Sequence, residues 1–328
     1  MHPRISVVIP IYNEQENLDA LLARITPVLD RLSSYRFEVL FVDDGSQDGS
    51  SALVDALCAR DARFKAIHLS RNFGHQPAMQ AGLDSAKGDA VVTMDGDLQD
   101  PPELIDELIA KWKEGYDVVY GIRKRRNESA WKRLAIKCFS KTLNFMAHIG
   151  PPLDAGDFAL MDRRVVDHLV GLKERNRFIR GLRSWLGFRQ TGIEYDRGAR
   201  NAGTAKQTLR NLLGFAFAGY FGFSSLPLHL ATWLGLASTG LGFALFVWAM
   251  VSKLIGTEIP QPWSSSTALT LFMGGIQLIV LGVIGGYLRR VYDEVRERPL
   301  YVVQSRAGIA GEAGSDRGLS TLPPAAAP

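Results

Sequence analysis

Val-Val-Thr-Met-Asp-Gly-Asp-Leu-Gln-Asp-Pro-Pro-Glu, residues 91–103, is the stretch of sequence that decides the fold. Its first four residues are apolar or β-branched and predict a buried strand that ends at the carboxylates of Asp95 and Asp97. Open α/β sheets bind ligands at this carboxyl edge. Two carboxylates one residue apart suit Mg²⁺ or Mn²⁺, and the Gln99 amide adds a neutral oxygen. Because Asp-x-Asp is also common in loops, the spacing alone leaves a plain Asp/Gly turn open.

This stretch contains the fourth of five predicted strands. The other four are short apolar runs, at residues 5–9, 37–42, 66–69 and 117–120, and helical patterns separate most of them. The alternation predicts an α/β fold with a mostly parallel sheet flanked by helices. Polar loops follow successive strands at one edge of the sheet, so we expect a single binding crevice there.

Composition narrows the class of protein only slightly. The chain has 328 residues, enough for one large or two small domains. Its two cysteines, Cys58 and Cys138, lack metal-ligand or disulfide spacing and favour a reducing compartment. The net charge of +4 and the pI of about 9.0 are mild. They fit nucleic acid, acidic lipid or polyphosphate, so the positions of the basic residues have to decide among these partners.

Two long apolar stretches lie late in the chain, at residues 228–251 and 268–288. Each matches the roughly 20 residues that a helix needs to cross a bilayer. We therefore expect two transmembrane helices, with a buried helical hairpin as the alternative. Lys and Arg residues lie on the outer flanks of the pair and are absent from residues 256–266 between them. The positive-inside rule then predicts a multi-pass protein of the inner (plasma) membrane with both termini in the cytoplasm.

The expected organisation has four parts. Residues 1–208 form a cytoplasmic catalytic domain, and residues 209–225 form an amphipathic helix in the interfacial plane. Residues 226–290 contain both transmembrane helices and a short outer loop. Residues 291–328 form a cytoplasmic tail that we expect to be disordered after Gln304. A Gly-x-x-x-Gly pattern in the second apolar stretch allows close helix packing, within the chain or in a homo-oligomer.

Four motifs in order along the chain carry a family resemblance. They are Val-Ile-Pro-Ile-Tyr-Asn-Glu at 8–14, Val-Asp-Asp-Gly-Ser at 42–46, Arg-Asn-Phe-Gly at 71–74 and Asp-Gly-Asp-Leu-Gln-Asp-Pro-Pro-Glu at 95–103. The set resembles the family-2 glycosyltransferases, which have the Rossmann-like GT-A fold. The resemblance is greatest to the polyprenyl-phosphate glycosyltransferases, the group of dolichyl-phosphate mannose synthase and bactoprenol glucosyltransferases. It extends over nearly the whole chain, including the two late apolar stretches.

The resemblance implies a donor site at the carboxyl edge of the sheet. Asp43 corresponds to the acid that contacts the nucleotide base. Three residues of the first motif line the same pocket, together with Asp95. Asp95, Asp97 and Gln99 correspond to the residues that hold Mg²⁺ or Mn²⁺ and the sugar diphosphate. The three residues of the first motif that line the base pocket are Pro10, Tyr12 and Glu14.

Basic residues after the fifth strand point to a phosphate acceptor. Arg123 and Lys137 correspond to acceptor-phosphate contacts of the family, and Arg200 and Lys206 are candidates for the diphosphate or the lipid phosphate. A solvated basic face is the plainer interpretation of such a run. Nucleic acid is disfavoured as a partner because the charges lack interleaved aromatic residues and lie next to a predicted bilayer anchor.

The segment 154–164 contains a further candidate. Asp157 corresponds to the general base of the family, which would deprotonate or orient the acceptor for in-line attack. Two departures from the family pattern accompany it. Ala159 stands where relatives usually carry Arg, and Ala205 stands where they usually carry Ser. A contact to phosphate or sugar is therefore either absent or supplied elsewhere.

The resemblance implies a metal-dependent hexosyltransferase acting on a lipid of the cell envelope. We expect it to move one sugar, with inversion at the anomeric carbon, from a nucleoside diphosphate to undecaprenyl or another polyprenyl phosphate at the cytoplasmic membrane face. A UDP-hexose such as UDP-glucose is the first expectation for the donor. Two alternatives stay open, namely transfer to another lipid or to a glycan, and a catalytically silent membrane scaffold that binds a nucleotide. The sequence does not name the sugar.

Overall fold

The computed structural model describes residues 2–124, 155–175, 177–196, 226–255 and 263–309. Eight strands form one sheet, and eight α-helices accompany it in these ranges. The strands are β1 Arg4–Ile11, β2 Arg36–Asp43, β3 Phe64–Leu69, β4 Ala90–Thr93, β5 Val118–Lys124, β6 Ala155–Asp162, β7 Gln190–Asp196 and β8 Val303–Ala307. The helices are α1 Gln15–Arg31, α2 Ser50–Arg60, α3 His75–Ser85, α4 Ile105–Lys113, α5 Arg163–Gly171, α6 Ile179–Trp185, α7 Leu226–Leu254 and α8 Trp263–Val295.

The sheet is mixed, with four parallel and three antiparallel strand pairs. Its strand order is β7-β5-β6-β4-β1-β2-β3-β8. The pairs β1–β2, β1–β4, β2–β3 and β5–β7 are parallel, whereas β6 runs antiparallel to β4 and β5, and β8 runs antiparallel to β3. The α/β class is as predicted. The strands β6, β7 and β8 were not among the five that the apolar pattern indicated, because they carry Gly, Asp, Glu, Gln and Ser among their apolar residues.

Helices cover both faces of the sheet. Apolar residues of α1, α2 and α4 share one buried core with the strand residues Ile5, Val7 and Ile9. The helices α3, α5 and α6 pack on the opposite face. A Cβ atom on Gly82 of α3 would come within 2.2 Å of Val8 Cγ1, so this glycine allows α3 to approach the central strand closely. Burial on both faces explains why β1 reads as a continuous apolar run.

Residues near the end of the chain belong to the sheet. Val303–Ala307 form β8, and the backbone N–H of Ser70 donates to Val302 O at 2.9 Å. The Tyr301 hydroxyl donates to Asp84 Oδ2 at 2.6 Å. The prediction of a disordered tail after Gln304 is therefore wrong for residues 305–307, which belong to β8. One reason is that an edge strand needs few apolar residues, so its pattern gives little signal.

The elements divide into two compact units, one with all eight strands and α1–α6, the other with α7 and α8. Both helices of the second unit are long and apolar enough to cross a membrane. Only 6% of the residues in the most apolar window of α7, and none in that of α8, are buried. Large side chains such as Trp233, Phe243 and Leu278 are mostly exposed. A water-soluble hairpin core would bury such residues, so the exposed apolar surface favours a lipid environment.

Candidate active site

Three loops meet at the carboxyl edge of the central strands. The backbone N–H of Met94 donates to Val8 O at 3.1 Å, and that of Asp44 donates to Ile11 O at 2.9 Å. Gly96 lies so close to β1 that a Cβ atom there would come 3.3 Å from Pro10 O. The segments that follow β1, β2 and β4 are thus held side by side. The predicted pocket residues Pro10, Asp43 and Asp95 all belong to this edge.

Side chains join the loop after β1 to the loop after β2. The Asn13 backbone N–H donates to Ser46 Oγ at 3.0 Å, and the Gln47 N–H donates to Asn13 Oδ1 at 2.8 Å. The Glu14 N–H donates to Ser50 Oγ at 3.0 Å. Asn13 adopts a positive φ of 54°, a conformation that Asn tolerates better than most residues. This connection leaves the Tyr12 side chain exposed at the edge of the sheet.

Asp43 is buried and its carboxylate is bound from inside the protein. Only 2% of the residue is exposed. It accepts hydrogen bonds from the Ser46 N–H at 2.9 Å and from the Ser51 hydroxyl at 2.5 Å, and His68 Nδ1 lies 2.9 Å from its Oδ2. Desolvation opposes ionisation, but these hydrogen bonds outweigh it and lower the pKa of Asp43 to about 2. Asp43 is therefore a carboxylate at every physiological pH.

His68 joins two carboxylates. Its Nδ1 contacts Asp43, and its Nε2 lies 3.0 Å from Asp55 Oδ1. A neutral imidazole has one N–H and can donate to only one of the two acids, whereas the imidazolium donates to both. The hydrogen bond to Asp43 accordingly raises the pKa of His68, against the lowering effect of burial. A charged network thus fixes the end of β2 to β3.

Asp44 holds the loop that precedes α3. Its two carboxylate oxygens accept hydrogen bonds from the backbone N–H groups of Phe73 at 2.7 Å and Gly74 at 2.9 Å. Burial is the main reason why the pKa of Asp44 is raised, although these two donors lower it. Gly45 has a φ of +70°, and a Cβ atom there would lie 2.5 Å from the Arg71 carbonyl carbon. The Asp-Asp-Gly motif therefore positions the Arg-Asn-Phe-Gly motif by direct contact.

The first residue of α3 reaches the carboxylate pair after β4. His75 Nε2 lies 3.0 Å from Asp95 Oδ1, and 22% of the Asp95 side chain is exposed. Desolvation lowers the pKa of His75, but the hydrogen bond to Asp95 and the charges of Asp95 and Asp157 outweigh it and raise the value. Asp97 is more buried, and its Oδ1 accepts the Gln99 N–H at 3.2 Å. Asp95 thus presents its carboxylate at the opening of the site.

Asp157 lies on the neighbouring strand β6. The antiparallel register pairs Thr93 with Ala159, which places Asp157 beside the residues that follow β4. The Thr93 hydroxyl donates to Asp157 O at 2.5 Å. From α6, Arg180 Nε lies 3.7 Å from Asp157 Oδ1, and 15% of the Asp157 side chain is exposed. The register and the shared electrostatic influence on His75 place Asp95 and Asp157 at one site.

The remaining acids of the 95–103 motif fix its backbone. The Tyr195 hydroxyl of β7 donates to the fully buried Asp100. Arg24 of α1 donates to Glu103 in a bidentate arrangement, Nε at 3.0 Å and Nη2 at 2.7 Å. Its hydrogen bonds lower the pKa of Glu103. Asp100 and Glu103 therefore hold the segment that carries Asp95 and Asp97 and do not themselves line the opening.

The donor atoms after β4 suit a hard divalent cation. Asp95 and Asp97 supply carboxylate oxygens and Gln99 supplies an amide oxygen on one short segment. His75 is hydrogen-bonded to Asp95. Among the described residues, no three His, Cys, Asp or Glu side chains gather into a closed metal cage. Mg²⁺ typically uses one or two carboxylates and completes its shell with water and substrate phosphates. The residues therefore fit an open, substrate-completed site.

Some predicted site residues lie outside the described part of the chain. They are Lys137, Arg200 and Lys206, and Arg123 is placed only as a backbone position in β5. The structure adds His75, and it gives contacts to Arg180 and Arg183, for which the sequence predicts only that residues 174–185 flank the acceptor side. A histidine in a loop and arginines on a short helix give no motif of their own. The packing of α6 against α3, where the Ile179 N–H donates to Gln76 Oε1 at 2.9 Å, and against β6 brings the two arginines to the acids.

Comparison with known proteins gives the family of this site. The family model described as "Glycosyl transferase family 2" matches residues 6–170, which include every motif of the carboxyl edge. The chain belongs to glycosyl transferase family 2. This transferase is 45% identical over 309 residues to the uncharacterized glycosyltransferase YkcC of Bacillus subtilis (strain 168), covering 94% of this chain and 95% of that protein.

A second relative indicates the subgroup. The prophage-derived bactoprenol glucosyl transferase of Shigella flexneri is 37% identical over 302 residues, covering 92% of this chain and 97% of its own. The resemblance to the polyprenyl-phosphate subgroup is therefore confirmed at the level of overall similarity. Among solved structures, glucosyl-3-phosphoglycerate synthase from Mycobacterium tuberculosis, in complex with Mn²⁺, UDP-glucose and phosphoglyceric acid, has a TM-score of 0.44 at 18% identity and covers 65% of this transferase and 76% of its own chain. A likeness of that degree carries no argument about ligands.

Proposed function

We propose that this family-2 glycosyltransferase moves a single sugar from a nucleoside diphosphate to a polyprenyl phosphate, with inversion at the anomeric carbon. The donor we expect is a UDP-hexose such as UDP-glucose, and the acceptor is undecaprenyl phosphate. The single observation that carries the proposal is the meeting of Asp95 and Asp157 at one edge of the sheet, with cationic side chains between and beside them. Similarity over nearly the full length to a bactoprenol glucosyl transferase supports the acceptor.

Asp157 acts on the acceptor side in this proposal. A phosphate monoester is already largely anionic near neutral pH, since its second pKa is about 6. The carboxylate therefore orients the phosphate oxygen for in-line attack more than it removes a proton. Arg180, beside Asp157, offsets the negative charge of two anions that approach each other. A single displacement needs no covalent sugar–enzyme intermediate.

Asp95, Asp97 and Gln99 would hold Mg²⁺ or Mn²⁺ on the donor side. The cation would stabilise the charge that the nucleoside diphosphate gains as the glycosidic bond breaks. Meanwhile His75 fixes the orientation of Asp95 through its hydrogen bond. Pro10, Tyr12, Glu14 and Asp43 belong to the base-binding side of the proposal. Arg123, Lys137, Arg200 and Lys206 remain its proposed phosphate contacts.

The membrane position follows from α7 and α8. We place the catalytic unit and both termini on the cytoplasmic side, because basic residues such as Arg289, Arg290 and Arg296 follow the second apolar stretch, residues 268–288. A cysteine introduced as Thr257→Cys should react with a membrane-impermeant maleimide in intact cells. Labelling only after permeabilisation would reverse the proposed orientation.

The central test is loss of transfer in Asp157→Asn. Membranes that contain this variant should form at least roughly 100-fold less lipid-linked sugar than wild type at equal protein level. The matched control is Asp167→Asn, which alters an exposed acid of α5 that pairs with Arg163. That control should retain wild-type activity. Full activity of Asp157→Asn would remove Asp157 from the proposed mechanism.

A substrate screen separates the proposal from its alternatives. Purified protein is incubated with UDP-, GDP- and dTDP-sugars, with Mg²⁺ or Mn²⁺, and with undecaprenyl phosphate, diacylglycerol or an oligosaccharide. Mass spectrometry of the product identifies the sugar and the acceptor together. A glycosylated diacylglycerol or glycan would replace the polyprenyl assignment, and no release of nucleoside diphosphate from any donor would indicate a silent scaffold.

A further inference from the structure

Arg183 of α6 is a buried cation with few protein partners. Only 3% of the residue is exposed. Its Nη2 donates to Gly156 O at 3.4 Å, a long hydrogen bond, and its Nε has no hydrogen-bond partner within the part of the chain that the structure describes. Burial lowers the pKa of Arg183 to about 10, which still leaves it charged at neutral pH. A buried guanidinium with donors left over is costly unless another group accepts from them.

The guanidinium lies next to a position where the family pattern has a cation. It stands over the ring of Tyr120, 5.5 Å from the ring centroid. Tyr120 pairs with Ala159 across β5 and β6, so the two side chains share one face of the sheet. Asp157 and Ala159 also share a face, because they are two residues apart on one strand. Arg183 thus brings its charge from α6 to the surroundings of Ala159, where the family resemblance implies an arginine on the strand itself.

A second arginine of the same helix completes the arrangement. Arg180 lies one helical turn before Arg183 and approaches Asp157 Oδ1 to 3.7 Å. Asp157 attracts both guanidinium groups, and the two repel each other. Two guanidinium groups around one carboxylate leave a net positive charge. That balance, together with the unfilled Nε donor of Arg183, favours an oxyanion as the missing partner.

We propose that Arg180 and Arg183 bind a phosphate oxyanion beside Asp157, and that Arg183 takes the place of the arginine that the family pattern has at position 159. The inference rests on the proposed function, because it concerns the same transfer site. The phosphate belongs either to the acceptor lipid or to the donor diphosphate. Both are phosphate esters, and the kinetics of the two substrates distinguish them.

The first experiment measures both Michaelis constants of Arg183→Ala in the full-length purified protein. We expect KM to rise roughly tenfold or more for one of the two phosphate substrates, because a charge-assisted hydrogen bond is lost. The matched control is Arg189→Ala. Arg189 also lies over a tyrosine ring, that of Tyr116 at 4.4 Å, but it is exposed and remote from Asp157 in the fold. Unchanged KM values for both substrates in Arg183→Ala would refute phosphate binding, even if kcat fell.

The second experiment moves the cation back to the strand. Ala159→Arg alone should lower activity, because it adds a third guanidinium to a fully buried position. Combined with Arg183→Ala, the same change should restore the KM of the affected substrate to within about threefold of wild type, a non-additive result expected for residues in one site. A double variant no better than Arg183→Ala, with an unchanged melting temperature, would overturn the replacement.

A binding measurement separates this inference from the proposed function. Titration calorimetry with UDP and with farnesyl phosphate reports phosphate affinity without sugar transfer. If wild type transfers no sugar but Arg183→Ala still weakens one ligand, the phosphate site stands and the proposed function fails. Should Arg183→Ala not fold, Arg180→Ala, at a more exposed position, tests the same site. Equal affinity of wild type and the folded variant for both ligands would overturn the inference.

Discussion

Two pairs of acids follow two parallel strands of this sheet, and the protein uses them differently. Asp43 is the last residue of β2 and Asp44 follows it; both are almost fully buried and accept hydrogen bonds from the protein's own backbone and side chains. Asp95 and Asp97 follow β4, and Asp95 is partly exposed at the site opening. The hydrogen bonds of the first pair hold loops together. In the second pair, the Asp95 side chain stays partly exposed.

The difference comes from the donors around each pair and not from the acids themselves. His68, Ser46 and Ser51 surround Asp43, and the backbone of the loop before α3 surrounds Asp44. Around Asp95 the structure gives His75, and 22% of the Asp95 side chain is exposed. A charge surrounded by internal donors stabilises the fold, whereas a charge with an open side can serve the reaction. Substitutions in the β2 pair should therefore mainly lower stability, whereas substitutions in the β4 pair should mainly lower activity.

The largest expected effect is on activity at the β4 pair. Asp97→Asn keeps an oxygen for the Gln99 N–H but loses the negative charge that would hold a divalent cation. Sugar transfer should fall by roughly 100-fold or more, because stabilisation of the leaving diphosphate is lost. The melting temperature should change little, and titration with Mn²⁺ should show weakened binding. Full transfer with unchanged Mn²⁺ affinity would contradict the division between the two pairs.

The next effect is on stability at the β2 pair. Asp43→Asn removes one of the two carboxylates that contact the buried His68, which should lower the free energy of unfolding by about 3 kcal/mol. Urea unfolding of the detergent-purified protein measures this loss. Asp55→Asn is the matched control, since Asp55 contacts the other nitrogen of His68 but is half exposed. A stable Asp43→Asn variant would contradict this stabilising role, and weakened UDP binding in that variant would leave only the proposed contact of Asp43 with the base.

A pH dependence of stability should separate the two pairs further. The pKa of His68 is raised above 6.5, so its contribution to stability is fully present below pH 6.5 and is lost as the pH rises through the raised value. The pKa of Asp43 is lowered from 3.8 to about 2, so its contribution is present above pH 3.8 and is lost as the pH falls toward 2. Melting temperatures between pH 6 and 9 should decline in wild type and decline less in His68→Gln. An equal decline in both would remove His68 as the cause.

The sequence alone shows the carboxyl edge but not this division of roles. Strands β1 to β4 are predictable because burial on both faces makes them apolar runs. Asp43 and Asp95 look alike as acids after a strand, and their difference depends on donors as distant along the chain as His68. His75 and Arg183 carry no signal because a single His or Arg is usually structural or solvated. Tertiary contacts between α3, α6 and β6 are what give these residues a place in the site.

The smallest expected effect compares two contacts that hold the segment after β4. Tyr195→Phe removes one donor to buried Asp100 and should cost about 1–3 kcal/mol, because a buried acceptor loses a hydrogen bond. Arg24→Met breaks an ion pair with Glu103 in which both side chains are more than a third exposed, and should cost less than about 1 kcal/mol. Urea unfolding ranks the two variants. If Arg24→Met were the more destabilising, the exposed side of the segment and not its buried side would hold Asp95 and Asp97 in place.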